Sequence, residues 1–248
     1  MHNKRVSTTI SVVILSLIAI AFLFPFAWMV ATSLKPTTEV FSLSPTGSRI
    51  AWDNYPSALN SIPFGRVVLN SFIVSLAGAA LVVVVSVLSA YAFARLRFKG
   101  RDHLFMLFLG TLVLPQEVLV IPLYIGMQRM GLVNSYFALI VPFAFGAFGA
   151  FLIRQFLMSL PLEFEEAARI DGCSDWKILT KILLPLLKAP ITVVGVFAFI
   201  DYWSAFLWPL IVVNDSSLAT IPLGLQMFSG ERGTDWGPLM AAVTMTTI

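Results

Sequence analysis

The sequence predicts an all-α integral membrane protein of six transmembrane helices, the last cut off at Ile248, with a cytosolic helix-turn-helix between the fourth and fifth. Three observations carry that prediction. Mean hydropathy is +0.89 and only 12% of the 248 residues are charged, about half the share found in a soluble domain. Long apolar runs such as LVVVVSVLSAYAFA do not alternate, whereas a transmembrane barrel needs alternating segments of about ten residues, so the spans are helical. Lys and Arg are also unevenly shared between the loops. With the N-terminus inside, Lys4, Arg5, Arg95, Arg97, Lys99, Arg101, Arg154, Arg169, Lys177, Lys181 and Lys188 face the cytosol, eleven of the sixteen. Lys35, Arg49, Arg66, Arg129 and Arg232 remain outside.

Each span follows from its length. Residues 10–31, 67–94 and 136–153 contain no Lys, Arg, Asp or Glu, and each is near or above the roughly 20 residues that cross about 30 Å of hydrocarbon. Residues 104–125 and 189–213 are as long and carry one acid each, Glu117 and Asp201. The first span follows Lys4 and Arg5 as a secretory signal would. Its 22 residues exceed the 7 to 15 of a signal's apolar core, so it is a retained helix. Residues 236–248 begin a sixth span of about 20 Å, and the chain is expected to continue past Ile248 with the rest of this helix and a short basic tail.

Between spans four and five, residues 163–181 gather eight of the 29 charged side chains. Pro161 suits a first helical turn, and Glu163, Glu165 and Glu166 follow where the helix dipole favours anions. Gly172 supplies a left-handed stop, and Ser174 caps a second helix that runs until Pro185 bends it into the membrane. Ala167 and Ala168 form a small, smooth patch beside Glu166, with Ile170 nearby, where another protein can approach and an incoming Arg can pair. Composition alone reads the same loop as a solvated connector.

Cys173 has no partner for an internal disulfide, His2 and His103 form no metal cluster, and no GxxxxGK[ST] occurs. Nucleotide-driven work therefore falls to another chain. The pI of 9.2 is explained by inside-positive loops and calls for no nucleic acid.

Glu166-Ala167-Ala168, Gly172, and Ile182, Leu184 and Pro185 fit EAA-x3-G-x9-I-x-LP, and in this the loop resembles the EAA motif of ABC importer membrane subunits. The stretches LFPFAWMVATSLKPTTEVF, NSFIVSLAGAALVVVVSVLSAYAFARLRFKGR, LPQEVLVIPLYIGMQRMGLVNSYFALI and LPLEFEEAARIDG are similar to the carbohydrate-uptake, MalG-like branch. The resemblance implies a single type-I transmembrane domain over residues 1–248, forming half of a pore. It implies a second membrane subunit, two copies of a cytosolic ATPase that binds the ATP, and an extracytoplasmic sugar-binding protein. The setting is the lipid of a prokaryotic inner or plasma membrane, and no cofactor belongs to this chain. By position, the coupling loop is 158–188, Glu165, Glu166, Ala167, Ala168, Arg169, Asp171 and Gly172 seat in the ATPase, and Ile182, Leu184 and Pro185 anchor the next helix. The loop would continue straight into span five as a rigid lever. Where the family often has Trp-Asn and an acid in that span, Trp203 is followed by Ser204 and Ala205.

Acids within spans are costly and hence functional candidates. Glu117, beside Gln116, lines a path or serves structure. Asp201 with Tyr202 and Trp203 pairs a carboxylate with aromatics, as a neutral sugar site would, although Trp203 and Trp208 also suit a belt or packing role. Tyr124 is a further candidate. Because no span holds Lys or Arg, a neutral saccharide is expected rather than a phosphorylated one; import of another solute, such as an amino acid, a polyamine or a phosphate ester, is the alternative within the same class. The outer stretches 33–66 and 214–235 are rich in turn formers and suit docking by a binding protein or plain solvation. A self-contained proton-coupled transporter using Glu117 and Asp201 is the competing class, but no internal repeat supports it. No nucleophile, base or metal constellation suggests an enzyme.

Overall fold

The computed structural model describes residues 2–230 and 233–247, with side chains from residue 11 onward. Arg232, Ile248 and the side chains of Lys4 and Arg5 lie outside the described residues. The helices are α1 (His2–Ser33), α2 (Asn54–Ser61), α3 (Phe64–Arg95), α4 (Arg101–Gly110), α5 (Gln116–Arg129), α6 (Tyr136–Ile140), α7 (Ala147–Ser159) and α8 (Glu163–Ile170). There follow α9 (Asp175–Lys177), a π-helical turn (Ile178–Leu183), α10 (Leu184–Leu186), α11 (Lys188–Ser204), α12 (Leu207–Val212), α13 (Ile221–Gln226) and α14 (Trp236–Thr247). The all-α expectation has one small exception. Residues Ser229–Gly230 (β1) pair antiparallel with Gly233–Thr234 (β2).

The chain divides into two compact units, Met1–Val68 with Leu223–Ile248, and Leu69–Pro222. In the first, α14 packs on α1 and α2. Gly237 of α14 permits that approach, because a Cβ there would meet Asn54 Oδ1 at 2.6 Å. Asn54 Nδ2 donates to the Ser33 and Lys35 carbonyls at 2.8 and 2.9 Å, satisfying acceptors that the end of α1 leaves open. Lys35 is fully buried, with Nζ donating to Ser42 O at 3.0 Å and lying 4.7 Å from the centre of the Trp28 ring. Residues 11–27 of α1 are exposed along every face, as suits a helix surrounded by lipid.

The second unit is built on α3, whose small side chains let its neighbours come close. A Cβ on Gly78 would meet the Tyr202 ring at 2.6 Å, and one on Gly149 of α7 would meet Val194 Cγ1 at 2.9 Å and run into Ser86. Buried polar groups tie the end of α3 to distant backbone. Asn70 Nδ2 donates to Ser217 O and Ala219 O at 2.9 and 3.0 Å, its Oδ1 accepts from Tyr136 Oη at 2.6 Å, and Ser71 Oγ accepts from Ile221 N at 2.6 Å.

Among the described residues, two helices are by themselves long and apolar enough to cross a membrane, Ser11–Ser33 and Phe64–Arg95. The expected spans 104–125, 136–153 and 189–213 are not continuous helices. The first two are bent by 102° between Arg101–Val113 and Gln116–Arg129 and by 47° between Tyr136–Phe143 and Ala147–Ser159. The third divides at Ala205, whose ψ of 123° is extended, into α11 and α12. Proline explains the first break, since Pro115 is extended at ψ 135° and lacks the N–H that a continuous helix requires, while the second falls at Gly146, extended at ψ 141°. Up to five spans are reached when the first two bent pairs, and a third made of Asp175–Leu186 and Lys188–Ser204, each count as one. The remaining candidate, α14, is 12 residues or about 18 Å long.

Candidate functional site

The charged loop folds locally as its residues dictate. Acidic residues Glu163, Glu165 and Glu166 occupy the first turn of α8, which begins two residues after Pro161. At its end Gly172 adopts φ +76°, with Gly172 N donating to Arg169 O at 3.0 Å and Cys173 N to Ala168 O at 2.9 Å, the paired closure of a helix with a left-handed stop. Ser174 Oγ then accepts from Lys177 N and caps the next helix. Arg169 spans the turn, donating to Asp175 Oδ1 at 3.2 Å, and that carboxylate pushes its pKa above the ordinary arginine value.

Two faces of α8 have different surroundings. Glu165 is 1% exposed and Ala168 is buried, whereas Glu166, Ala167, Asp171 and Gly172 are exposed and Ile170 is 86% exposed. The expected patch of two alanines is therefore half a patch, because the helical period turns Ala168 into a core with Val87, Tyr91, Leu157 and Leu179. Leu162, Phe164 and Trp176, which the sequence did not single out, add exposed apolar surface around α8. Of the expected anchors, Ile182 is partly buried while Leu184 and Pro185 are exposed; the buried ones are Ile178, Leu179, Leu183 and Leu187. Pro185 does not make the bend. It sits at the start of α10, where a missing N–H is tolerated, and the chain turns by 81° at Leu187, between Asp175–Leu186 and Lys188–Ser204. A straight lever into span five is thus replaced by an elbow.

Arg95, read from sequence only as an inside-positive charge, lies at the centre of this region. Its Nε is 2.5 Å from Glu165 Oε1, and its Nη2 donates to Leu157 O at 2.8 Å and Leu160 O at 3.1 Å. Arg154 of α7 donates from Nε to Phe93 O at 3.2 Å, lies 4.1 Å above the Phe105 ring and approaches Asp102 at 3.6 Å. The Arg101 guanidinium is hydrogen-bonded to the same Asp102 carboxylate, Nε donating to Oδ1 at 3.1 Å. No local sequence signal joins these residues; only their charge at the ends of apolar runs marks them.

Farther along α3, α5, α7 and α11 a cavity of about 390 Å³ opens, within the ~300–1,000 Å³ usual for small-molecule sites. Gln116, Glu117, Asp201 and Ser204 are among its polar residues, and Val120, Phe148 and Phe197 among its apolar ones. No Lys or Arg lines it. Tyr202 contributes ring surface, but its hydroxyl is engaged, donating to Ile140 O at 2.6 Å. Trp203 is not in the lining. Two residues on from Asp201 it points away, stacked on Phe199 at 5.6 Å and edge-on to Phe72 at 6.2 Å. Tyr124 also lies outside the lining, packed against the cluster of Val74, Met127 and Trp208. Trp208 both borders the cavity and packs in the cluster with Val74 and Met127, its Nε1 donating to Ala138 O at 2.8 Å.

Similarity to known proteins agrees with this architecture. The family profile described as "Binding-protein-dependent transport system inner membrane component" matches residues 82–248. The sn-glycerol-3-phosphate transport system permease protein UgpE of Pectobacterium atrosepticum is 37% identical, covering 100% of this chain and 92% of that one. The lactose transport system permease protein LacG of Rhizobium radiobacter is 31% identical over 99% of this chain and 90% of its own. A crystal structure of a bacterial ABC transporter involved in import of the acidic polysaccharide alginate shares the fold, with a TM-score of 0.83 at 22% identity over 99% of this chain and 92% of the matched one. The chain belongs to the binding-protein-dependent transport system inner membrane component family, and is a permease subunit of an ABC importer, not a catalytic subunit.

Proposed function

We propose that this subunit forms one half of a pore for a neutral sugar or short oligosaccharide, working with a second membrane subunit, an extracytoplasmic binding protein and two copies of a cytosolic ATPase. The N-terminus lies in the cytosol of a prokaryote, and α14 belongs to the sixth span. One observation carries the choice of solute: the cavity presents Gln116, Glu117 and Asp201 among apolar and aromatic walls, with no cation in its lining. Carboxylates and an amide accept hydrogen bonds from hydroxyls, and the same carboxylates repel anions. The lactose permease among the relatives supports a saccharide. A phosphate ester is the second reading, favoured by the relatives named for sn-glycerol-3-phosphate, and it needs cations from the other membrane subunit.

The ATPase docks on the exposed edge of α8. Glu166 there meets an incoming Arg, small Ala167 allows close contact, and Phe164, Ile170 and Trp176 supply apolar area that water otherwise covers. Closure of the ATPases around ATP moves α8, and the membrane helices change the side to which the cavity opens. The test uses the co-purified complex in liposomes with its binding protein. Lactose or another neutral sugar is expected to stimulate ATP hydrolysis and glycerol 3-phosphate to leave it unchanged, the opposite result establishing the second reading. Glu166→Lys should release the ATPase or abolish stimulated uptake while the chain still inserts; wild-type uptake by that variant rules out docking through α8.

A further inference from the structure

We propose that Arg95 is the joint through which motion of α8 enters the membrane helices, and that the driven element is α7 rather than α11. The proposal rests on the docking of an ATPase at α8 given above, and concerns what happens after docking. Three elements meet at one guanidinium. Arg95 is the last residue of α3, its Nε contacts Glu165 on the inward face of α8, and its Nη2 holds the carbonyls of Leu157 and Leu160 where α7 ends. The side chains of Arg95 and Glu165 are 7% and 1% exposed, so the pair is shielded from water and salt. Removing Glu165 leaves Arg95 as an uncompensated buried charge, and removing Arg95 leaves the buried Glu165 with only the half-exposed Arg169 at 4.0 Å, so α8 cannot leave α3 and α7 freely.

From this joint α7 leads to the cavity. Leu157 is held at one end, and Phe148 and Gly149 line the cavity near the other, eight or nine residues or about 12–14 Å away along an unbroken helix. Arg154 binds the middle of this rod to Phe93 O of α3 and to Asp102 of α4. At the cavity end Gly149 touches Ser86 and Val194 with no room for a methyl group, so displacement of α7 is passed on to α3 and α11 instead of being absorbed. The competing route, from α9 and α10 into α11, runs through a π-helical turn and an 81° elbow at Leu187, where backbone rotation dissipates a push. Glu165 and Glu166 thus divide the work: Glu166 faces the ATPase and Glu165 fastens the same helix to the pore.

Arg95 is a positioning residue in this scheme, and its signature is a change in solute moved per ATP hydrolysed. The experiment reconstitutes the complete complex with its binding protein and measures uptake and hydrolysis together for Arg95→Gln, Glu165→Gln, Arg95→Lys and the exchanged pair Arg95→Glu with Glu165→Arg. In Arg95→Gln and in Glu165→Gln the ATPase should still co-purify, with uptake per ATP reduced roughly tenfold. Arg95→Lys, which keeps the charge but cannot meet Glu165 with one nitrogen and the two carbonyls with another, should fall between them and wild type, and the exchanged pair should recover part of the ratio. An unchanged ratio in both single variants, or loss of assembly in both, overturns the proposal. Absence of ATPase from the wild-type complex at α8 would instead refute the docking reading, and Glu166→Lys distinguishes the two because it removes the ATPase without touching the joint.

Discussion

Residues close together in this chain take opposite roles because a helix turns by about 100° at each residue. Glu165 is buried against Arg95 while Glu166 is exposed, and Asp201 borders the cavity while Trp203 stacks on Phe199. Single side chains also repair backbone that the sequence itself breaks. Ala138 O would accept from residue 142 in a regular helix, but residue 142 is proline and has no N–H. Trp208 Nε1 takes its place at 2.8 Å. Trp208→Phe keeps the ring and removes the donor, leaving a buried carbonyl unpaired, and should cost about 1–2 kcal/mol. Thermal unfolding of the detergent-solubilised complex measures this. A shift in midpoint no larger than that of an exposed Phe→Leu control contradicts the role.

At the scale of elements, local chemistry was legible and long-range geometry was not. The helix-turn-helix follows from Glu163 to Glu166 at a helix start, Gly172 at its end and Ser174 as a cap, all of which act within a few residues. Gly172→Ala meets no steric obstacle, since nothing lies within 4 Å of its Cβ position, but it must hold φ +76°. The cost of about 1 kcal/mol should speed hydrogen exchange at the Cys173 amide roughly fivefold, with rates in α3 unchanged. The breaks in the later spans escaped because hydrophobicity reports solvent, not straightness: a bent pair and a straight helix are equally apolar. Pro185 was a misleading marker, and Leu187, where the elbow falls, carries no marker at all. The cavity's polar residues were readable as acids in apolar runs, but the exclusion of Trp203 and Tyr124 depends on packing between helices distant in sequence. The pairing of Arg95 with Glu165 was invisible for the same reason.

At the scale of the whole molecule, permease family membership sets the chain apart from transporters that carry their own coupling. On the function proposed above, the acids Glu117 and Asp201 serve the solute rather than a proton current. Vesicles containing this chain alone should show no sugar accumulation when a pH step is imposed, whereas vesicles with the complete complex should accumulate sugar on addition of ATP. Proton-driven uptake by the isolated chain would reverse the assignment. The hydrogen bonds that close α6 have a bearing on how such a chain is made. Ala138 and Ile140 obtain their donors from Trp208 and Tyr202, 70 and 62 residues downstream. While a ribosome is still synthesising the intervening stretch, those two oxygens have neither partner, so this part of the protein reaches its finished form only after the later segment has been threaded into the lipid beside it.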